Sequence, residues 1–116
     1  MKVTTDKKGL IVELPGREFH VLVDDEIVGS KHMTFGIAVV PEGSCLPWHN
    51  HVDSEEIIYV LKGTGTAESK TEAQAIEPGM VLYMEPGSEH QILNQGKDEM
   101  KLLCSFSPPV KIRAPK

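Results

Sequence analysis

Ten glycines and eight prolines cut this 116-residue chain into short pieces. Pro15-Gly16, Pro41-Glu42-Gly43, Gly63-Thr64-Gly65, Pro78-Gly79, Pro86-Gly87 and Asn94-Gln95-Gly96 are all turn chemistry: proline presets φ, and glycine accepts the positive φ that other residues avoid. Between them lie runs rich in Val, Ile, Leu and Met, at Leu10–Leu14, Phe19–Val23, Met33–Val40, Ile57–Lys62, Met80–Met84, Glu89–Leu93 and Met100–Phe106. No window long enough for an amphipathic helix escapes these breaks with a 3.6-residue apolar stripe. Short strands with turn signals at regular spacing predict an all-β sandwich or barrel.

The apolar periodicity agrees. In Met33–Val39 the large apolar residues fall on odd positions and the small or polar ones on even positions, the alternation of a half-buried strand. Met100, Leu102, Cys104 and Phe106 share one face of the last run. Ile57–Leu61 is apolar on both faces, which predicts a strand covered on both sides. Asp24–Ser30 and Glu68–Ala75 fit either a single helical turn or an irregular loop. With few aromatics, the core must rest on aliphatic residues and methionine.

Charge narrows the function classes. Twelve Lys and Arg against 17 Asp and Glu give a net charge of −5 and no basic run, which argues against nucleic acid as a partner. No apolar stretch approaches the ~20 residues that cross a bilayer. Met1–Gly9 lacks the apolar region and small-residue cleavage site of an export signal, so a soluble cytoplasmic protein is expected. In that setting Cys45 and Cys104 are expected to be unreactive thiols.

Histidine supplies the chemistry. His49 and His51 form a His-x-His pair, which on an extended chain projects both imidazoles from one face. The two rings grip one ion only if the strand curves toward it. A nearby carboxylate and a third histidine from a neighbouring strand complete an N3O donor set, suited to Fe, Mn, Ni, Cu or Zn rather than Mg or Ca. Alone, the dipeptide is a weak signal. Its setting is stronger: Gly43, His49, His51, Glu56 and Gly63 read G-x5-H-x-H-x4-E-x6-G, and Gly79, Glu85, Gly87, His90 and Asn94 read G-x5-E-x-G-x2-H-x3-N.

These two stretches resemble the paired motifs of the cupin family, with one departure: Glu85 stands where the second motif has proline. Pro86-Gly87 still supplies the two central residues of a type II turn. The resemblance implies a cupin double-stranded β-helix, or jelly-roll, barrel filling residues 1–116 as one domain, with its core at about 10–107. Residues 1–7 and 108–116 are expected to be extended segments. It implies one divalent transition metal per chain held by His49, His51, Glu56 and His90. Glu55 rivals Glu56 within the motif's tolerance, but the six residues between Glu56 and Gly63 favour Glu56.

The fold family spans many reactions, so the implied function is broad. The leading expectation is a metal-dependent enzyme for a small polar or carboxylate-bearing substrate. Oxygenase or oxalate-decarboxylase-like chemistry ranks first, and isomerase or lyase chemistry next. The alternative is a non-catalytic module that binds or senses a small molecule through the same metal site. Glu55 is the candidate general base, and Tyr59, Gln91 and Asn94 are candidate pocket residues, although Asn94 also suits a turn fastener. Trp48 is read as packing or rim, and His20 and His32 as surface imidazoles. A homodimer is expected, paired through the N-terminal strands and burying whichever of Ile11, Phe19 or Val21 faces outward.

Overall fold

In a computed structural model describing residues 1–113, the chain forms ten strands and no helix. They are β1 (Leu10–Leu14), β2 (Arg17–Val23), β3 (Thr34–Val40), β4 (Cys45–His49), β5 (Glu55–Lys62), β6 (Gly65–Ser69), β7 (Ala73–Ile76), β8 (Val81–Met84), β9 (His90–Leu93) and β10 (Met100–Ser107). Every pairing is antiparallel. One sheet has the order β1-β2-β3-β10-β5-β8 and the other β4-β9-β6-β7. Their inner faces close over a core that includes Phe19, Val21, Ile58, Val60, Ile92 and Leu102.

The turns form as their chemistry requires. Ser44, Met80 and Ser88 donate their amides to the carbonyls of Pro41, Glu77 and Glu85 at 3.0, 3.2 and 3.0 Å. The glycine before each donor takes a φ of +75°, +96° and +78° respectively. Glu85 therefore costs the second motif nothing, because its turn rests on Pro86-Gly87. Asp24–Ser30 makes one helical turn, with Val28 N bonded to Asp24 O at 3.1 Å. The Asp24 carboxylate accepts the Glu26 and Ile27 amides at its start.

Three strands lack an apolar signature. β4 contains Pro47, which is tolerated because β4 is an edge of the smaller sheet. In β6 only Ala67 is buried, and in β7 only Ile76. Glu68–Ala75 is accordingly a β-hairpin, neither a helical turn nor an irregular loop.

In β3 the alternation is present, but the small residues face inward: Thr34, Gly36, Ala38 and Val40 are buried. Phe19 fills the space above Gly36, where a Cβ would lie 2.3 Å from its ring. The larger Phe35, Ile37 and Val39 are left on the outer face. β5 is covered on one side only, since Ile57, Tyr59 and Leu61 are exposed.

The segment after β10 is extended but tethered. Thr34 Oγ1 donates to the Val110 carbonyl at 2.9 Å, and Ser54 Oγ donates to that of Pro108 at 2.6 Å. Lys111 pairs with Asp25 at 2.7 Å and Arg113 with Asp24 at 2.8 Å. Residues 114–116 of the expected tail lie outside the described residues. Among those described, no helix is long and apolar enough to cross a membrane.

Candidate metal centre

Strand register brings the two histidine stretches together. His49 ends β4 and is the direct partner of His90, the first residue of β9. The register shifts between Leu46 and His49, and such an irregularity bends a strand. His51 follows in the loop, its carbonyl held at 2.9 Å by the amide of Gly87 in the second stretch. Glu56 enters from the larger sheet as the second residue of β5, facing inward.

Donor atoms of His49, His51 and Glu56 lie within 4.8 Å of one another. His90 Nε2 is 3.5 Å from Glu56 Oε1, and His51 Nε2 is 4.0 Å from it. The His49 ring centroid lies 4.3 Å from that of His90 and 5.3 Å from that of His51. Glu56 is only 3% exposed, yet its Oε1 and the facing His90 Nε2 have no hydrogen-bond partner among the described residues. Buried groups left this way cost about 1–3 kcal/mol each, and more when charged. A cation between them removes that cost.

The rings are set up as neutral ligands. His49 Nδ1 donates to the Pro47 carbonyl at 2.7 Å, and His90 Nδ1 to that of Ser88 at 3.0 Å. A carbonyl only accepts, so Nδ1 carries the proton and Nε2 presents its lone pair. Burial, reinforced by the other histidines and Arg17, lowers the His49 pKa to about 4 despite the opposing Pro47 bond. Burial also lowers that of His51, against the pull of Glu56. The donor set and its protonation suit a divalent transition metal.

His49, His51 and Glu56 stand in the wall of a cavity of about 180 Å³, whereas His90 lies outside its lining. Its lining also includes Arg17, Phe19, Leu46, Cys104, Phe106 and residues 110–113 of the C-terminal segment. Cys104 is a thiol here, its pKa pushed well up by burial first and by Glu56 next.

Several expected site residues lie elsewhere. Glu55, the candidate base, is exposed on the outer face of β5 and accepts the Tyr83 hydroxyl at 2.9 Å, because neighbours on a strand point to opposite faces. Tyr59 shares that outer face. Gln91 points away from the core beside buried His90 and donates to Glu68 at 3.2 Å. Asn94 is buried but fastens the loop before β10, its amide nitrogen reaching the carbonyls of Val40, Pro41 and Asp98. Trp48 lies at the surface under Lys70, and His20 and His32 stand outside the cavity lining. The sequence reading missed Arg17 and the C-terminal segment. The parity of Arg17 with Phe19 and Val21 was the available signal for the first, and nothing local marked the second.

A two-sheet β-barrel with histidine and carboxylate donors gathered in its interior defines a class of metal-site barrels. Residues 36–106 match the cupin domain family, and the chain belongs to it. It is 31% identical over 109 residues to an uncharacterized protein of Methanocaldococcus jannaschii, covering 94% of this chain and 87% of that one. It is 29% identical over 83 residues to an oxalate-binding protein of Thermotoga maritima, covering 72% of this chain and 69% of that one. A crystal structure of a predicted oxalate decarboxylase from Thermotoga maritima shares the fold with a TM-score of 0.81 at 23% identity, over 92% of this chain and 99% of that one.

Two expectations follow. Glu56→Gln should lower metal content severely, by about tenfold or more in affinity, whereas Glu55→Gln should leave it nearly intact. Elemental analysis of both variants decides between the carboxylates. Acid should release the metal at a lower pH than free imidazole chemistry suggests. With the folded His49 pKa at about 4, below the ordinary 6.5, protons prefer the unfolded chain. The stability this provides is present above pH 6.5 and is lost as pH falls toward about 4. A titration of metal release, with melting of the metal-free protein over the same range, should show both declines there. Half-release above pH 6.5 would place the metal on other groups.

Proposed function

We propose that this cupin is a metal-dependent enzyme acting on a small substrate that chelates through a carboxylate or vicinal oxygens. The observation that carries the reading is the convergence of His49, His51 and Glu56 on the wall of a small cavity, with His90 Nε2 3.5 Å from Glu56 Oε1 and both of those buried atoms lacking a partner among the described residues. The three imidazoles offer neutral nitrogens, and Glu56 offers the negative charge that retains a divalent ion. A bound transition metal supplies Lewis-acid or oxygen-activating chemistry. Phe106 packs edge-on against His51 at 4.8 Å between centroids, and with Phe19 and Leu46 it gives the cavity a dry wall that strengthens the electrostatics inside. The C-terminal segment from Val110 limits the room to a molecule of few heavy atoms.

Oxygenase or oxalate-decarboxylase-like chemistry ranks first, supported by relatives whose names refer to oxalate, with isomerase or lyase chemistry behind. One observation favours the alternative of a binding module. With Glu55 outside, the described residues lining the cavity include no carboxylate beyond Glu56 to act as a general base.

The two readings separate in one experiment. Protein reconstituted with Mn(II), Fe(II), Ni(II) or Zn(II) is incubated in air with a panel of small oxo-, hydroxy- and dicarboxylic acids. Mass spectrometry then follows turnover, and calorimetry follows binding. Turnover that disappears in the His49→Ala/His51→Ala variant is the expected outcome. Tight binding without turnover establishes the binding module, and failure to retain metal overturns both.

A further inference from the structure

The cavity carries more cationic than acidic side chains in its lining. A protein of net charge −5 lines it with Arg17, Lys111 and Arg113 and a single carboxylate, Glu56. Lys111 and Arg113 are already occupied. Lys111 lies 2.7 Å from Asp25 and 3.0 Å from Glu26, and Arg113 lies 2.8 Å from Asp24 and 2.6 Å from Glu26. Arg17 forms no ion pair among the described residues. Its Nη1 donates to the Pro15 carbonyl at 2.9 Å, while its Nε is buried with no partner among the described residues.

The chain goes to some length to put it there. Arg17 opens β2 directly after Gly16, which adopts φ +77° and lies so close to Cys45 that a Cβ would meet its carbonyl oxygen at 1.8 Å. Ser44 Oγ clamps the Gly16 carbonyl at 2.8 Å. Only glycine permits this approach of the β1–β2 turn to β4. The result is a guanidinium with one unpaired edge beside the metal donors. A divalent ion with Glu56 leaves one positive charge, and Arg17 adds another, so the loaded cavity calls for an anion. Guanidinium geometry matches a carboxylate through two parallel N–H donors.

We propose that Arg17 is the anion-recognising residue of this cavity, gripping one carboxylate of the substrate while the histidine and Glu56 donors hold the ion that takes its other oxygens. The substrate class is then a small mono- or dicarboxylate. The cavity of 180 Å³, room for about six waters, suits a compact one.

This assignment rests on the metal-centre reading, and the two fail differently. The probes are oxalate and its neutral diamide, oxamide, added to Mn(II)-loaded wild-type, Arg17→Lys and Arg17→Met proteins. Arg17→Met should retain Mn(II) and lose oxalate affinity by about 10- to 100-fold, the range of a charge-assisted hydrogen bond. Arg17→Lys should recover part of the loss, and oxamide should respond to neither substitution. Melting of Arg17→Met should change little, because loss of the exposed Nη1 bond to Pro15 is offset by removal of a buried, unsatisfied Nε. Unchanged oxalate affinity in Arg17→Met with Mn(II) retained overturns the assignment alone. Absence of Mn(II) from the wild type overturns the metal reading, and oxalate binding to the metal-free protein then tests Arg17 by itself.

A separate observation concerns the outside of the barrel. On the larger sheet one cross-strand row runs Ile11, His20, Ile37, Leu103, Tyr59, Val81, and a second runs Val23, Phe35, Ser105, Ile57, Tyr83. Ile57, Val81 and Tyr83 are 48%, 60% and 56% exposed. Five strand spacings make the first row about 24 Å long, and its apolar residues are contiguous with those of the second. Neither row contains an Asp, Glu, Lys or Arg, although the chain carries −5. A face that meets its own copy across a two-fold axis must avoid like charges at its centre, and a sheet offers a matching surface to an identical sheet.

We infer that a second copy of this chain covers the outer face of the larger sheet. Ile11 joins that interface from β1, whereas Phe19 and Val21 point into the core. Light scattering at micromolar concentration should give about twice the 12.8 kDa chain mass. The Ile57→Lys/Tyr59→Lys variant, altered only at exposed positions, should give a single chain that melts cooperatively. A wild-type monomer, or a dimer undiminished in the variant, overturns the inference.

Discussion

Glu56 is a carboxylate buried inside a β-barrel with an oxygen that no described residue satisfies, and the rest of the site is arranged around that fact. An isolated buried charge costs several kcal/mol even after relaxation. A neutral imidazole offers Glu56 at most one hydrogen, and the Nδ1 hydrogens of His49 and His90 are given to Pro47 and Ser88. The cluster of His49, His51 and Glu56 is accordingly one that could hold a cation.

What holds the four donors in place is register. β5 contributes Glu56 from one sheet, while β4 and β9 contribute His49 and His90 as direct partners in the other. A slip of one residue in β5 would exchange Glu56 for Glu55 and turn Ile58 and Val60 to the outer face. Hydrophobic burial prevents the slip. Ile58 and Val60 are fully buried on the Glu56 side, against Leu102 and Cys104 of β10. The aliphatic core thus does electrostatic service, fixing the position of a charge several residues away.

Much of this was legible in the sequence. Turn chemistry located most strands, and the spaced motifs contain His49, His51 and Glu56, which the fold brings together. The same alternation also indicates, for each neighbouring pair, which member enters the site: Glu56 rather than Glu55, His90 rather than Gln91, Arg17 rather than Glu18. Legibility ended where packing rather than pattern decides. β6 and β7 are too polar to announce themselves, because their sheet buries few side chains from them. In β3, Phe19 takes the interior volume that residue size alone would have assigned to Phe35 and Ile37. The C-terminal segment reaches the cavity through ion pairs with Asp24, Asp25 and Glu26, residues more than eighty positions earlier that no local reading connects.

The outer face of β5 brings the two halves of the argument together. A strand apolar on both sides should be covered on both, yet the fold of one chain covers only the side that carries Glu56. Its other side shows Ile57, Tyr59 and Leu61 to solvent, interrupted only at the end by Glu55 with its bond from Tyr83. The strand that sets the position of the buried carboxylate is the same one whose exposed face lacks a cover. Packing a second sheet there would restrict the twist and register of β5 from outside, as the core does from inside. On that arrangement, dimerisation and metal binding share a strand: its even positions belong to the ion and the core, and its odd positions to the partner.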